Sequence, residues 1–490
     1  MSETIETDVI VLGAGPVGEN VADRTRAAGL DTVIVERELV GGECSYWACV
    51  PSKVLLRSAA ALRDAKALPG AAEAVTGELD PQAVFARRDR FVGDWDDSGG
   101  ADWLASIDAR LLRGTGRFDG PKRVVVTDDA GAETLVVARH AVVVATGSEP
   151  VVPPIPGLAE VRPWGSREAT GAHEVPARLA VVGGGVVAVE MATAYAGFGS
   201  EVTIIQRGTL LHGFEDFAGE AVAAGLEALG ARVLLGKQVA RASRDADGTV
   251  TLELDDGTRV EADEVLVATG RRPRTGDLGL ETLGLEPGAK LDVDDSLAVP
   301  TASGGWLYAV GDVNGRAPLT HQGKYEARAV GDGIAARVRG DAPELGPWGA
   351  DAATADHRAV PQVVFSSPEV AAVGLTESAA RAAGFSVRAV EVPLTSAQGA
   401  QIHVDGADGR AKLVVDARDG LVLGATFVGD DVAELLHAAT VAIVGQVSVR
   451  RLWHAVPAFP SVSEVWLRLL EALGRESARG ADGGLTAAAS

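Results

Sequence analysis

Apolar runs that stop at glycine-rich turns recur along the chain, and their spacing predicts alternating strands and helices. Residues 8–12 form the first run and lead into Gly13-Ala14-Gly15-Pro16-Val17-Gly18. A helical segment follows and ends at Gly29, and a second apolar run occupies residues 32–35. A strand, a glycine turn, a helix and a further strand in this order form one βαβ unit.

The same pattern returns near residue 180. An apolar run leads into Gly183-Gly184-Gly185, and a helical stretch and another apolar run follow. The distance from the first glycine to the residue that ends the second strand is 23 positions in both copies, from Gly13 to Glu36 and from Gly183 to Gln206. The chain therefore contains two nucleotide-binding halves of the same design.

The two copies predict an α/β protein with two Rossmann-like, doubly wound nucleotide-binding domains. We expect the first domain at residues 1–155 and 275–345 and the second at residues 156–274. Alternating strand patterns past residue 360 predict a third, α+β domain at residues 355–472. Residues 473–490 have little apolar surface to bury, so we expect a flexible tail there.

Composition and charge exclude several classes of protein. The chain has 490 residues, enough for about three domains of roughly 150 residues each. Its 45 basic and 68 acidic side chains give a formal net charge of −23, which repels the phosphate backbone of nucleic acids. The first residues are acidic where a secretory signal carries positive charge, and no apolar run reaches the roughly 18 residues of a membrane span. We therefore expect a cytoplasmic protein that neither binds nucleic acid nor inserts into a membrane.

The first glycine turn has the context of a dinucleotide site. Gly13, Gly15 and Gly18 follow a strand and open a helix, and Glu36 ends the next strand. Glycines let the backbone approach a pyrophosphate at the helix N-terminus, and the carboxylate of Glu36 accepts hydrogen bonds from ribose hydroxyls. A turn that serves only helix–sheet packing is the alternative, but it does not explain the strand context and the acid together.

The two cysteines of the chain, Cys44 and Cys49, lie five positions apart, just after the first βαβ unit. Pro51 and Ser52 predict the start of a helix, which places Cys49 at the positive end of a helix dipole and favours its thiolate. A redox-active disulfide is the interpretation we favour. Zinc would need further ligands, so we predict no metal site. Two inert buried thiols remain the alternative.

Several motifs together resemble one family, the flavoprotein disulfide reductases, which include dihydrolipoamide dehydrogenase, glutathione reductase and mercuric reductase. They are the segment from Gly41 to Lys53, both glycine fingerprints, the Ala-Thr-Gly endings at 145–147 and 268–270, and Ala309-Val310-Gly311-Asp312. The resemblance spans about residues 5 to 472. It implies FAD on the first domain, a nicotinamide cofactor on the second, and a homodimer formed through the third.

The resemblance also implies roles for single residues. Cys49 would face the flavin, and Cys44 would exchange with the substrate. Lys53 would lie beside the flavin N5 with Glu190 as its carboxylate partner, and Asp312 would bind the ribityl chain; for Lys53 a solvated helix lysine is the alternative. The expected cofactor-binding residues are Gly13, Gly15, Gly18, Glu36, Gly42, Thr146, Gly147, Gly183, Gly185, Ala188, Gln206, Arg207, Gly270, Gly311 and Asp312.

The second fingerprint differs from the first at its strand end. Gln206 occupies the position of the ribose-binding acid, and Arg207 follows it. Without a carboxylate nothing repels a 2′-phosphate, and the guanidinium group of Arg207 can pair with one. This favours NADPH over NADH. The alternative is that Arg207 is a solvated surface charge and that NADH is accepted as well.

The resemblance fails at the family's acid–base centre. Thiol-processing members carry His-Pro-Thr-x-x-Glu near the carboxyl terminus, and this chain has Phe459 at the histidine position while Pro460 and Glu464 remain. Loss of a general base costs about 10²- to 10⁴-fold in rate. His454, five residues earlier, is one candidate for a substitute, but its predicted position at a helix end is more typical of a cap or surface residue. His321 is a second, weaker candidate, because its segment resembles one that lies near the flavin in the family.

These observations predict an FAD-dependent NAD(P)H oxidoreductase that passes electrons through FAD and the Cys44/Cys49 disulfide to a small-molecule acceptor. Phe459 suits a flat, apolar, quinone-like acceptor whose reduction draws protons from water. One alternative is a dihydrolipoamide dehydrogenase-type or low-molecular-weight disulfide reductase, and another is a low-turnover flavin-binding electron-transfer or scaffold subunit. Metal reduction as in mercuric reductase is less favoured, because the chain lacks that enzyme's extra carboxyl-terminal cysteine pair.

Overall fold

The fold is taken from a computed structural model that describes residues 3–302 and 304–475. The strands are β1 (Glu3–Leu12), β2 (Thr32–Glu36), β3 (Arg110–Arg113), β4 (Thr115–Phe118), β5 (Arg123–Thr127), β6 (Glu133–Val144), β7 (Ser148–Pro150), β8 (Arg178–Val182), β9 (Glu201–Gln206), β10 (Arg232–Leu235), β11 (Val239–Arg244), β12 (Val250–Leu254), β13 (Arg259–Ala262), β14 (Glu264–Val267), β15 (Arg271–Pro273), β16 (Leu307–Ala309), β17 (Pro361–Val364), β18 (Glu369–Gly374), β19 (Val387–Pro393), β20 (Gly409–Asp416) and β21 (Val422–Gly429). The helices are α1 (Pro16–Ala27), α2 (Gly42–Tyr46), α3 (Cys49–Ala67), α4 (Pro81–Phe91), α5 (Ser98–Ser106), α6 (Ser166–Gly171), α7 (Val186–Gly197), α8 (Asp216–Ala228), α9 (Thr320–Arg339), α10 (Ala355–Arg358), α11 (Glu377–Ala382), α12 (Gln398–His403), α13 (Leu436–Val444), α14 (Val449–Leu452) and α15 (Val465–Leu473).

The first glycine fingerprint lies in a seven-stranded sheet of order β3-β2-β1-β6-β5-β4, with β16 paired to β6. β1, β2, β3 and β16 are parallel to their neighbours, and β4 and β5 form an antiparallel meander on the amino-terminal half of β6. Val9, Ile10 and Val11 are fully buried because layers cover the sheet on both faces. The carboxyl ends of β1, β2 and β6 meet at one edge, and this edge carries the site described below.

Two glycines of the fingerprint are required by close packing. Gly13 has a φ of 100°, and a Cβ at this position would press against the carbonyl oxygen of Ala145. A Cβ on Gly18 would collide with the carbonyl oxygen of Gly13. The strand, turn and helix can approach this closely only because neither residue has a side chain.

The second fingerprint lies in a parallel sheet of order β10-β9-β8-β14, with a three-stranded antiparallel sheet, β11-β12-β13, beside it. Gly183 repeats the geometry of Gly13, since its φ is 129° and a Cβ would collide with the carbonyl oxygen of Ala268. β7 and β15 pair with each other where the chain enters and leaves this half. The expected repeat is therefore present in three dimensions.

The carboxyl-terminal part has a five-stranded antiparallel sheet of order β17-β18-β21-β20-β19, packed against α13 and α15. Lys412 of this sheet is 8% exposed, and its Nζ lies 2.9 Å from carboxylate oxygens of Glu215 and Glu377. Glu215 immediately precedes α8, so its ion pair with Lys412 joins the third part of the chain to the second. Val456 and Phe459 are 85% and 75% exposed in the single chain.

The predicted α/β fold class is confirmed by these sheets. No helix within residues 3–302 and 304–475 combines the length and the hydropathy that a membrane span requires. Leu473, the first residue of the predicted tail, ends α15 and is buried. Residues 476–490 of that tail lie outside the described residues.

Candidate active site

A cavity of about 1050 Å³ opens at the carboxyl edge of the first sheet. Its wall includes α3 and α7, so elements that belong to both nucleotide-binding halves of the sequence line it. Twelve of the residues singled out by the sequence lie on its wall: Gly13, Gly15, Glu36, Gly42, Cys44, Cys49, Lys53, Thr146, Gly147, Glu190, Gly311 and Asp312. The fold therefore gathers at one place residues that are up to about 300 positions apart.

The wall of the cavity fits the adenosine diphosphate half of FAD. Gly15 lies at the N-terminus of α1, where a Cβ would contact only the Cα of Gly42, at 4.0 Å, and the Cα of Gly15 would be 2.9 Å from a Cβ built on Gly42. Both backbones therefore present bare peptide groups, which suit a pyrophosphate. The Glu36 carboxylate is fixed at the cavity edge by the backbone N–H groups of Ala14, at 2.7 Å, and Glu38, at 2.8 Å. Its position suits a ribose hydroxyl.

A polar corner surrounds Asp312, which follows Gly311 in a 3₁₀ turn, Gly311–Val313. The hydroxyl group of Ser148 donates a hydrogen bond to Asp312 Oδ2. Arg271 Nε in turn donates to Ser148 Oγ at 2.7 Å. This corner suits the hydroxyl groups of a ribityl chain. Sequence reasoning missed Ser148 and Arg271, although each lies just after an Ala-Thr-Gly ending that it did identify.

The two thiols are close together but not joined by a disulfide in the structure, and both are partly buried. Cys49 is the first residue of α3, so its sulfur lies at the positive end of a 19-residue helix. The Oγ1 atom of Thr320, the first residue of α9, lies 3.3 Å from Cys49 Sγ. The hydrogen bond from Cys44, with help from Thr320 and the charge of Lys53, lowers the pKa of Cys49 to about 6. The same hydrogen bond, together with burial, raises the pKa of Cys44.

We expect the Cys49 thiolate to disappear as the pH falls through about 6, because its pKa is depressed from the ordinary value of 9.0. Cys44 should remain a thiol throughout this range. The ultraviolet absorbance of thiolate in the reduced protein measures this titration, and Cys49→Ser gives the blank. A single titration near the ordinary thiol pKa would contradict the expectation.

Lys53 and Glu190 form the ion pair that the family resemblance implies. Lys53 Nζ lies 2.7 Å from Glu190 Oε2, and the Glu190 side chain is only 4% exposed. Glu190 Oε1 accepts a hydrogen bond from the backbone N–H of Phe365 at 3.0 Å. The pair therefore joins α3 and α7 to the segment after β17, and it holds an ammonium group on the cavity wall beside Cys49.

Two further charged groups lie on α1 and α9, the helices that pack against each other beside the thiols, and sequence reasoning identified neither. Lys324 lies one helical turn after Thr320 on α9, and its charge opposes the increase in the pKa of Cys44. Burial raises the pKa of Glu19 on α1 to about 7, although the nearby charge of Lys324 acts to lower it. α1 and α9 pack tightly, since a Cβ on Gly323 would press against Val17.

The residues of the family's acid–base motif do not reach the cavity within one chain. Phe459 is exposed, and Glu464 is buried with its Oε2 atom lacking a hydrogen-bond partner. His454 is exposed just after α14. The ring of His321 contacts the carbonyl oxygen of Pro361 at 2.8 Å. Neither histidine lines the cavity.

The second fingerprint forms a separate surface at the N-terminus of α7, where no side chain covers the backbone of Gly185. Gly185 has open space where a side chain would lie, and the side chain of Gln206 packs against Gly184 and donates to the carbonyl oxygen of Thr209 at 3.2 Å. Arg207 is exposed beside it. Ala188 is fully buried at the third fingerprint position, and Gly270 has open space around it. None of these residues lines the large cavity, although Val187 and Glu190 of the same helix do.

Two dinucleotide folds whose elements share one cavity, with a thiol pair on its wall, define an FAD-containing pyridine nucleotide oxidoreductase. The chain belongs to the pyridine nucleotide-disulphide oxidoreductase family, whose sequence profile matches residues 7–327. The profile of that family's dimerisation domain matches residues 360–469 and supports a homodimer. The family binds FAD and NAD(P), and the predicted membership and enzyme class are confirmed.

Named relatives match along nearly the whole chain. The dihydrolipoyl dehydrogenase of Bacillus subtilis is 32% identical over 485 residues, which cover 95% of this chain and 96% of that one. The dihydrolipoyl dehydrogenase of Thermus scotoductus is 34% identical, covering 96% and 98%. The flavoprotein disulfide reductase RclA from Escherichia coli, solved as a Cu(II) complex, superposes with a TM-score of 0.81 at 25% identity, covering 96% and 99%. LpdA from Mycobacterium tuberculosis superposes with a TM-score of 0.80 at 25% identity, covering 95% and 99%.

Proposed function

We propose that this protein oxidises NADPH through FAD and the Cys44/Cys49 pair and passes two electrons to a quinone-like acceptor. The observation that carries the proposal is the lack of a histidine both at position 459 and on the cavity wall of the single chain. Phe459 occupies the position of the family's histidine, and within the described chain none of the eight histidines lines the cavity. A dithiol substrate needs a base to form its thiolate, whereas a quinone does not.

Different residues of the cavity stabilise charge and hold the proton. FAD, when bound, supplies the two-electron chemistry between NADPH and the disulfide. The ammonium group of Lys53, held by Glu190, stabilises negative charge that develops beside it. When the Cys44–Cys49 bond takes up two electrons and one proton, Cys49 keeps the thiolate because its pKa is low, and Cys44 keeps the proton because its pKa is high. Two electrons from the sulfurs, the Cys44 proton and one proton from water then convert a quinone to a hydroquinone and restore the disulfide.

Reduction of a lipoyl group or another small disulfide is the second candidate. It is favoured by the relatives, since the dihydrolipoyl dehydrogenases of Bacillus subtilis and Thermus scotoductus match this chain over almost its full length. The thiol pair, the Lys53–Glu190 ion pair and the buried Glu464 are all consistent with it. The exposed phenyl ring of Phe459 argues against it.

Steady-state oxidation of NADPH with a panel of acceptors tests the proposal. We expect quinones to raise the rate of NADPH oxidation at least about tenfold more than lipoamide or glutathione disulfide, in line with the cost of a missing base. Cu(II) belongs in the panel because the RclA structure contains it. Rapid turnover of dihydrolipoamide by the unmodified protein would reject the proposal in favour of the second candidate. If no acceptor raises the rate of NADPH oxidation, the result would favour a scaffold or electron-transfer subunit.

We also propose that NADPH is preferred over NADH. The strand β9 ends in Gln206 rather than an acid, and the exposed guanidinium group of Arg207 lies beside it. A charge-assisted hydrogen bond to a 2′-phosphate contributes roughly 1.5–3 kcal/mol, which is about 10- to 100-fold in affinity. The ratio of kcat/KM for the two cofactors should therefore favour NADPH, and Gln206→Glu should reverse it. A ratio near one in the unmodified protein would contradict this preference.

A further inference from the structure

The segment that carries the two thiols is held by an arginine from a distant part of the sequence. Arg167 lies on α6, and its Nε donates to Glu43 Oε1 at 2.6 Å while its Nη2 donates to Glu38 Oε2 at 2.7 Å. Glu43 immediately precedes Cys44. Arg274 Nη2 donates to the same Glu43 oxygen at 3.0 Å. The residue before the first cysteine is therefore fixed by two guanidinium groups.

The same arginine also contacts the residues between the cysteines. The guanidinium carbon of Arg167 lies 4.1 Å from the ring centroid of Trp47, which is a stacking distance. Thr170, one turn further along α6, donates from Oγ1 to the backbone carbonyl of Trp47 at 2.9 Å. α6 therefore holds the Cys44–Cys49 segment at both ends, through Glu43 before the first thiol and Trp47 just before the second.

α6 is itself anchored in the protein interior. The hydroxyl group of the buried Tyr195 donates to the carbonyl oxygen of Ala169 at 2.7 Å. Arg88, which is fully buried, donates to the carbonyl oxygen of Ala172 at 2.9 Å just after the helix. A short helix with buried anchors provides a firm support for the thiol segment.

We propose that Arg167 is a positioning residue for the thiol pair, one that keeps Cys44 within bonding reach of Cys49 after their disulfide opens. A planar guanidinium group can bind a carboxylate with its edge and stack on an indole with its face at the same time, which an ammonium group cannot. Holding the two sulfurs close favours the disulfide over the dithiol, because closing the bond then costs less conformational freedom. The inference rests on the proposed redox role of Cys44 and Cys49.

The dithiol–disulfide equilibrium of the holoenzyme tests the inference. The protein is equilibrated in a series of dithiothreitol redox buffers, and free thiols are trapped by alkylation and counted by mass spectrometry. We expect Arg167→Leu to shift the equilibrium toward the dithiol by about 3- to 10-fold, where tenfold corresponds to about 30 mV. Arg167→Lys should give an intermediate shift, since it keeps the charge and loses the stacking on Trp47.

A matched control separates this effect from general loss of an ion pair. Arg178 forms a comparable pair with Asp263 at 2.7 Å and is 33% exposed, against 27% for Arg167, but it does not line the cavity. Arg178→Leu should leave the thiol equilibrium unchanged. Trp47→Leu, which keeps the ion pairs, should also shift it toward the dithiol, and it serves as the test if Arg167→Leu does not fold.

Each outcome decides the inference. Shifts in Arg167→Leu and Trp47→Leu with none in the control support it. Equilibria of both variants that lie within twofold of the unmodified protein overturn it, while the redox role of the thiols still stands. If the unmodified protein never forms the disulfide in any buffer, the proposed redox function fails, and the inference fails with it.

Discussion

Replacing Phe459 by histidine is expected to raise the turnover of dihydrolipoamide about 10²- to 10⁴-fold, the contribution of a positioned general base. Glu464 of the same motif is buried, and one of its carboxylate oxygens has no hydrogen-bond partner. This oxygen can accept a hydrogen bond from the new imidazole and orient it. Phe459 is 75% exposed in the single chain, so the substitution creates no cavity in the core. Quinone-dependent oxidation of NADPH should change little, because that reaction draws its protons from Cys44 and from water.

The measurement is kcat/KM for dihydrolipoamide as a function of pH. A gain caused by an imidazole should increase as the pH rises through the range near 6.5 in which histidine becomes neutral and can accept a proton. Phe459→Leu serves as the control, since it changes the ring without adding a base and should show no gain. A soluble dimeric Phe459→His variant with unchanged dihydrolipoamide turnover would show that the missing imidazole does not limit this activity.

Removing the ammonium group of Lys53 should slow the transfer of electrons from NADPH to the bound flavin about 10²- to 10³-fold, which is the usual effect of losing one preorganised charge in an active site. Lys53→Met leaves Glu190 buried, 4% exposed and without its counter-ion. The remaining carboxylate would repel the negative charge that reduction brings to the cavity. Lys53→Arg keeps the positive charge and should lose much less.

Anaerobic stopped-flow absorbance of the flavin measures this rate. Lys237→Met is the matched control, because Lys237 forms an ion pair with Asp256 at 2.6 Å in the second nucleotide-binding half and does not line the cavity. It should reduce its flavin at the rate of the unmodified protein. If the flavin of Lys53→Met is reduced at that same rate, Lys53 does not contribute to electron transfer.

Local sequence patterns account for much of the predicted site. Glycine fingerprints carry a backbone requirement that can be recognised from neighbouring residues alone, and the structure shows why at Gly13 and Gly18, where no Cβ fits. The position of Cys49 at a helix start was also predicted, although α3 begins at Cys49 itself rather than at Pro51. The Lys53–Glu190 pair could be predicted only through the family resemblance, since 137 positions separate its members.

By itself, the sequence of this protein determined two dinucleotide folds, a thiol pair at a helix N-terminus and a phenylalanine at position 459, where the family resemblance implies a histidine. These features depend on residues that are neighbours along the chain or on motifs with fixed spacing. Only the tertiary structure showed that Thr320 contacts Cys49 and that Arg167 holds Glu43 and Trp47. Such contacts join residues more than 100 positions apart, and their formation depends on how sheets and helices pack, which no local pattern encodes.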